Sequence, residues 1–371
     1  MPKFLHTADW QIGRQFSTFD PEDAHPLADA RLTAVERLAA LAVAHQVDAV
    51  LVAGDVFDAQ TVADRTIIRM FNAMAAFDGP WVLISGNHDA ALAEGVWTRA
   101  QRLSAVPANA RLALTATPVL LPDCRTVVLP APLTQRHTYG DSTAWFNDAQ
   151  TPDGWLRIGL AHGGVQGVLA EGVATSNPIA AERAALARLD YLALGDWHGS
   201  KRIDARTWYS GTPEPDRFKS NAAGQALLVE IAGPGAEPLV TPLPTARFDW
   251  QERAVSLRVA TDLDELLTLL NGFAPQVVLD LHLDGQLALG EHQRLNAALG
   301  LARARLRHLS VDMTALRLEP TAADIASLHA EGYLAEVIAE LHAEQAGASD
   351  SADIARAALS ILATTLAEAR A

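Results

Sequence analysis

Five short polar clusters punctuate the first two-thirds of the chain, and all are drawn from one small set of residue types. They are Ala8-Asp9-Trp10-Gln11-Ile12-Gly13, Gly54-Asp55-Val56-Phe57-Asp58, Gly86-Asn87-His88-Asp89, Ala161-His162-Gly163-Gly164 and Gly195-Asp196-Trp197-His198-Gly199. Carboxylate and amide oxygens mixed with imidazole suit Mn²⁺, Fe or Zn, and they exclude the thiolate metal classes. The single cysteine, Cys124, rules out a thiolate cluster and an internal disulfide framework. A carboxylate such as Asp55, set between two neighbours, can bridge two ions about 3.5–4 Å apart, the spacing that clamps a phosphoryl group. Taken singly, Gly-Asp and Gly-Asn pairs are turn formers, and an Asp before a helix is a cap. Five clusters of one composition point instead to a metal centre.

Each cluster follows a predicted strand, and open α/β sheets build their sites outside the carboxyl ends of strands. Apolar runs predict strands at Lys3–Thr7, Asp48–Ala53, Trp81–Ile84, Thr126–Leu129, Arg157–Ala161, Tyr191–Leu194 and Thr207–Ser210. Helical spacing over Ala30–His45 and Thr61–Phe77 lies between the first three. Buried strands alternating with helices predict a layered α/β domain.

A Gly/Pro-rich stretch from Ala232 to Pro244 breaks this pattern and places a boundary near Ala246. The expected units are a metal-bearing domain over 1–245, a small α/β domain over 246–319 and a helical tail over 320–371. In the small domain, strands are predicted at Ala254–Val259, Val277–Leu283 and Leu306–Val311, with helices at Asp262–Leu270 and Glu291–Arg303. The tail carries Ile325, Leu328, Leu334, Val337, Ile338 and Leu341, then Ile354, Ala358, Ile361, Leu362 and Leu366, at helical spacing around a break at Gly347–Ser351. That stripe either packs on the protein's own core or docks another protein.

With 49% apolar and 20% charged residues in 371, the composition is globular. The formal net charge of −15 argues against tight unaided DNA binding, which draws on a basic surface. No apolar run suits a signal peptide or a bilayer span, so the expected location is cytoplasmic, without membrane attachment.

The five clusters resemble the motif series D-x-H, GD-x-x-D, GNHD, H-G and GH-x-H of the calcineurin-like metallophosphoesterases. Tyr209-Ser210-Gly211-Thr212-Pro213 resembles the Y-x-G-S-P stretch of their DNA-repair exonuclease branch, typified by the bacterial SbcD nuclease. The resemblance implies a four-layer α/β/β/α domain, a smaller capping domain, and tail helices that bind the coiled coil of an SMC-like ATPase. It implies two divalent ions, Mn²⁺ foremost, with Mg²⁺, Fe or Zn²⁺ as alternatives. One ion would be held by Asp9, Gln11, Asp55 and His198, the other by Asp55, Asn87, His162 and Asp196. His88 would stabilise the phosphate or protonate the leaving oxygen, oriented by Asp89.

Two positions depart from the series, Gln11 and Asp196 standing where the family usually has His. Gln binds more weakly than imidazole, and Asp196 adds a negative charge opposite, so a shifted pH optimum or metal preference is expected. The implied activity is phosphodiester hydrolysis in DNA, by an exonuclease or endonuclease. A small-molecule phosphodiesterase and a weakly catalytic scaffold are the alternatives, and homodimer formation stays open. Of the remaining candidates, His6 reads as a satisfied core histidine, and His25, His45 and His137 have no partner pattern. Trp10 and Trp197 read as packing beneath the loops, with base stacking the alternative. Arg136, Lys201 and Arg202 read as solvated charge.

Overall fold

The computed structural model describes residues 1–168, 176–219, 221–318, 333–344 and 350–368. The chain divides into two units, Met1–Phe248 and Asp249–Ala371.

The first unit is built on two six-stranded sheets. In one, β1 (Lys3–Thr7), β2 (Ala49–Val52), β3 (Trp81–Leu83) and β4 (Ala110–Leu112) run parallel. β13 (Gln225–Glu230) adds antiparallel to β1, and β14 (Leu239–Pro244) closes that edge. In the other, the order is β11 (Lys201–Arg202), β12 (Thr207–Tyr209), β10 (Tyr191–Gly195), β7 (Leu156–His162), β6 (Thr126–Ala131) and β5 (Val119–Leu121). A two-residue parallel pair, β8 (Gly164–Val165) with β9 (Pro178–Ile179), follows β7.

Successive side chains of a strand point to opposite faces, and here both faces are covered. Phe4, Leu51, Val82 and Val229 meet Val128, Ile158, Leu160 and Tyr191 between the two sheets. Leu5, Val50, Val52 and Leu83 turn the other way, onto α1 (Pro21–Ala44), α2 (Asp64–Ala73) and α3 (Val96–Arg102). The second sheet's outer face is covered by Phe146 and the one-turn α4 (Arg183–Leu186). The layers are therefore helix, sheet, sheet and a thin helical cover.

Two local features differ from the sequence reading. α1 starts at Pro21, well before Ala30, because Pro21 sits at the helix start, where its missing N–H costs nothing and Glu22 and Asp23 face the dipole. The Pro-rich stretch read as a break contains β14, whose Pro242 and Pro244 lie on a sheet edge, where no ladder donor is needed on the open side.

In the second unit three parallel strands, β15 (Asp249–Leu257), β16 (Val277–Leu287) and β17 (His308–Leu318), are crossed by α5 (Ala260–Gly272) and α6 (Leu289–Arg305). Leu263, Leu266 and Leu270 pack with Leu279, Leu281, Leu295 and Leu299 in its core. α7 (Tyr333–Glu344) and α8 (Asp350–Glu368) lie against each other. Ile325, Leu328 and most of the 347–351 break lie outside the described residues. Among the described residues no helix is long and apolar enough to cross a membrane.

Candidate metal centre

The five polar clusters sit at the carboxyl ends of β1, β2, β3, β7 and β10, and the pairing of the loops brings them to one place. Asp9 N–H donates to the Gly54 carbonyl at 3.1 Å, Gln11 N–H to Asp55 at 2.9 Å and Ile12 N–H to Val56 at 2.8 Å. The backbone is bent hard to do this. Asp9, Gln11, Asp55 and Asp196 have φ of 53°, 46°, 52° and 103°. Such left-handed positions cost about 1–3 kcal/mol each for non-glycine residues and persist only where the surroundings over-determine them. Close approach needs glycine beside them. A Cβ on Gly54 would lie 2.5 Å from His162 Nδ1.

Asp9, Asp55 and His162 are buried, and their ligand atoms lie within 4.8 Å of one another. The His162 ring is fixed by Nδ1, which donates to the Ala53 carbonyl at 2.8 Å. That leaves the Nε2 lone pair facing Asn87 Oδ1 at 2.9 Å, Asp55 Oδ1 at 3.6 Å and Asp196 Oδ1 at 3.7 Å. Four acceptors converging on one point require a cation between them, a proton or a metal. Burial alone would push the imidazole down, but Asp55, Asp9 and Asp196 outweigh it, and the His162 pKa is raised to about 9. The donor set fits a divalent ion at this position.

Asp9 is raised to about 6, chiefly by burial and against the pull of His198 and His162. Asp196 is raised by burial, with His162 opposing.

The other side of Asp55 is built differently. His198 Nδ1 donates to Asp216 at 3.0 Å, presenting Nε2 toward Gln11. Gln11 offers its amide nitrogen, 3.1 Å from His198 Nε2 and 3.5 Å from Asp55 Oδ2. Its oxygen accepts from Arg14 at 2.9 Å. A guanidinium has donors only, so the atom beside it must be the oxygen. A second ion among Asp9, Gln11, Asp55 and His198 does not fit this arrangement.

His88 Nδ1 donates to the Asp58 carbonyl at 2.8 Å, and its half-buried ring leaves Nε2 4.0 Å from Asp55 Oδ2. Asp89 does not orient that ring. Its buried carboxylate accepts the N–H groups of Gly86 at 2.6 Å, Val56 at 2.8 Å and Phe57 at 3.1 Å, and so ties two loops together. Burial is the main reason its pKa is raised to about 7.

A calcineurin-like phosphoesterase family model matches residues 2–200, and that span holds all five clusters. The chain belongs to the calcineurin-like phosphoesterase family. Two relatives are each named as the D component of the SbcCD nuclease. The one from Rhodobacter capsulatus is 40% identical over 96 residues, 24% of this chain and 22% of its own length. That from Escherichia coli K12 is 33% identical over 94 residues, 24% of this chain and 21% of its own. The matches thus span about a fifth of those relatives. The solved structure of TT1561 from Thermus thermophilus aligns over 66% of this chain and 99% of its own, at 13% identity and TM-score 0.42.

Three residues of the phosphoesterase site escaped the sequence reading. Arg31 is fully buried on α1 and donates to the carbonyls of Trp10 at 2.6 Å, Asp9 at 3.1 Å and Glu214 at 3.1 Å, and to Thr212 Oγ1 at 3.0 Å. Its signal was a charge on the helix's apolar stripe, between Ala30 and Ala34. Asp216 and Arg14 carried no spacing signal. Burial raises the Asp216 carboxyl, but hydrogen bonds from His198 and Arg217 prevail and hold it far below the usual range. His6 is buried as expected, bonded to Tyr191 Oη at 2.9 Å and the Leu194 carbonyl at 3.2 Å. Trp10 is buried and donates to Thr7 Oγ1 at 2.9 Å, beneath the first loop. Lys201 lies over the Trp197 ring at 5.5 Å, and Arg202 over Trp208 at 5.6 Å.

Proposed function

We propose that this phosphoesterase hydrolyses phosphodiester bonds in DNA with a divalent metal, Mn²⁺ foremost, as the nuclease subunit of an assembly with an SMC-like ATPase. The observation that carries the chemistry is the convergence of Asn87, Asp55 and Asp196 on His162 Nε2. A divalent ion bound there would supply Lewis-acid polarisation of a phosphoryl oxygen. The chain's own residues do the rest. His162, Asp55, Asp196 and the neutral oxygen of Asn87 would hold the ion. The Ala53 carbonyl keeps the His162 tautomer. His88, pinned through Nδ1, sets Nε2 on the Asp55 side, where it would stabilise the phosphate or the leaving oxygen.

DNA as substrate rests on the likeness to the two SbcCD relatives, which are named nucleases. The net charge of −15 leaves the DNA grip to the partner ATPase. α8 buries Ala352, Ala355 and Leu359 but leaves Ile354 and Ile361 each 69% exposed, an apolar edge suited to a coiled coil. Cytoplasmic residence fits this role.

The test is Mn²⁺-dependent cleavage of linear duplex DNA, single-stranded DNA and a small chromogenic phosphodiester, with and without the ATPase. Wild type should cut DNA and His88→Ala should be slower by about 10²–10⁴-fold. Turnover of the small diester alone would replace DNA with a small-molecule substrate. Absence of turnover on every substrate would remove the hydrolytic reading.

A further inference from the structure

We propose that the centre is asymmetric and holds one tightly bound divalent ion per chain, at His162, because Gln11 and Arg14 together occupy the neighbouring position. The inference rests on the metal-dependent reading above and adds to it a stoichiometry.

The position flanked by Asp9, Asp55 and His198 is faced by the wrong end of an amide. Gln11 Nε2 lies between His198 Nε2 at 3.1 Å and Asp55 Oδ2 at 3.5 Å, the two atoms that would share a second ion. An N–H group has no lone pair to give, and its positive dipole end repels a cation. Ligand atoms of a bound first-row ion stand about 2.0–2.2 Å from it, so the amide would have to turn over.

Arg14 prevents the turn. Its guanidinium holds the Gln11 oxygen at 2.9 Å and is itself held by Asp216 Oδ2 at 3.4 Å and Asp58 Oδ1 at 3.6 Å. Turning the amide would set its N–H₂ against a group that has only donors. At the His162 position no neighbouring side chain turns a donor inward in this way: Asn87 Oδ1, Asp55 Oδ1 and Asp196 Oδ1 face Nε2 as acceptors.

The experiment is metal analysis of the purified full chain, loaded with excess Mn²⁺ and passed through a desalting column, with electron paramagnetic resonance on the same samples. Wild type should retain one Mn²⁺ per chain and show the six-line spectrum of an isolated ion. Gln11→His should retain two, with the broadened spectrum of a coupled pair. Arg14→Ala, which frees the amide to turn, should move toward two. His162→Ala should retain none.

Two ions per wild-type chain, or a coupled spectrum, would overturn the asymmetry and leave the phosphoesterase reading standing. One ion kept by His162→Ala and lost by His198→Ala would overturn it equally, by placing the ion on the other side. A wild-type chain that retains no ion and cuts nothing would remove both readings at once. Since the decisive measurement is made on wild type, a variant that fails to fold does not weaken it.

Discussion

His162 Nε2 and Asn87 Oδ1 stand 2.9 Å apart, and the other ring nitrogen already donates its hydrogen to the Ala53 carbonyl. Two acceptors at that distance need a cation between them. In the metal-free protein it is a proton, because the surrounding carboxylates outweigh burial and raise His162 to about 9.

Metal binding should therefore release that proton. At pH 7 the metal-free ring is charged and the metal-bound ring cannot be, so about one proton should leave per ion. Calorimetric titration with Mn²⁺ in two buffers of different ionisation enthalpy measures it. Heats that do not depend on the buffer would contradict the assignment.

Gly86→Ala should damage both stability and activity. A Cβ there would overlap the Asp55 carboxylate and lie 2.5 Å from the Asp55 nitrogen. Forcing the loops apart should cost about 1–3 kcal/mol, read by denaturant unfolding. Hydrolysis and Mn²⁺ retention should fall together. Wild-type stability in this variant would show that the two loops are less tightly joined than their geometry indicates.

Arg31→Met keeps the bulk on α1 and removes every donor. The Asp9, Trp10 and Glu214 carbonyls would lose their buried partner, at about 3 kcal/mol or more in total. Denaturation midpoints compared with Arg31→Lys, which restores one charge and part of the bonding, test it. Equal midpoints for Met and wild type would count against the role.

His6, bonded to Tyr191 and Leu194 of β10, sets a pH dependence of its own. Burial lowers its pKa from 6.5 to about 3, with the Leu194 carbonyl opposing. The folded chain thus refuses a proton that the unfolded chain accepts below 6.5. Stability is unaffected above that pH and falls as the pH drops from 6.5 toward 3. At pH 5 the loss should be about 2 kcal/mol. His6→Gln lacks this term, so the stability gap between wild type and variant should shift by that amount between pH 7.5 and pH 5. A gap independent of pH would refute it.

Much of this is legible in the chain. Each predicted strand of the first unit lies within a few residues of an observed one, since strands buried on both faces read as unbroken apolar runs such as Ala49–Val52. Of the strands that the sequence reading left out, β4 and β5 are three residues each and β14 carries two prolines, whereas β13 is apolar and inside its sheet, its short apolar run being equally that of a buried helix segment. The positions of Asp9, Asp55, Asn87, His162, Asp196 and His198 can be read because each lies at the carboxyl end of a strand or in the loop that leaves it.

The sequence by itself determined which donors the protein has and that β-strand ends would present them. Only the tertiary structure decided what each donor does. Adjacency makes Asp89 a partner for His88, but adjacent residues on a turn point apart, and its carboxylate ties backbone instead. Its place in a series makes Gln11 a weak ligand. Whether it turns oxygen or nitrogen toward the centre depends on Arg14, three residues on, and on Asp216, some two hundred residues away, which holds both Arg14 and His198. An amide's direction is set by the hydrogen-bond partners that folding brings around it, and composition carries no record of those.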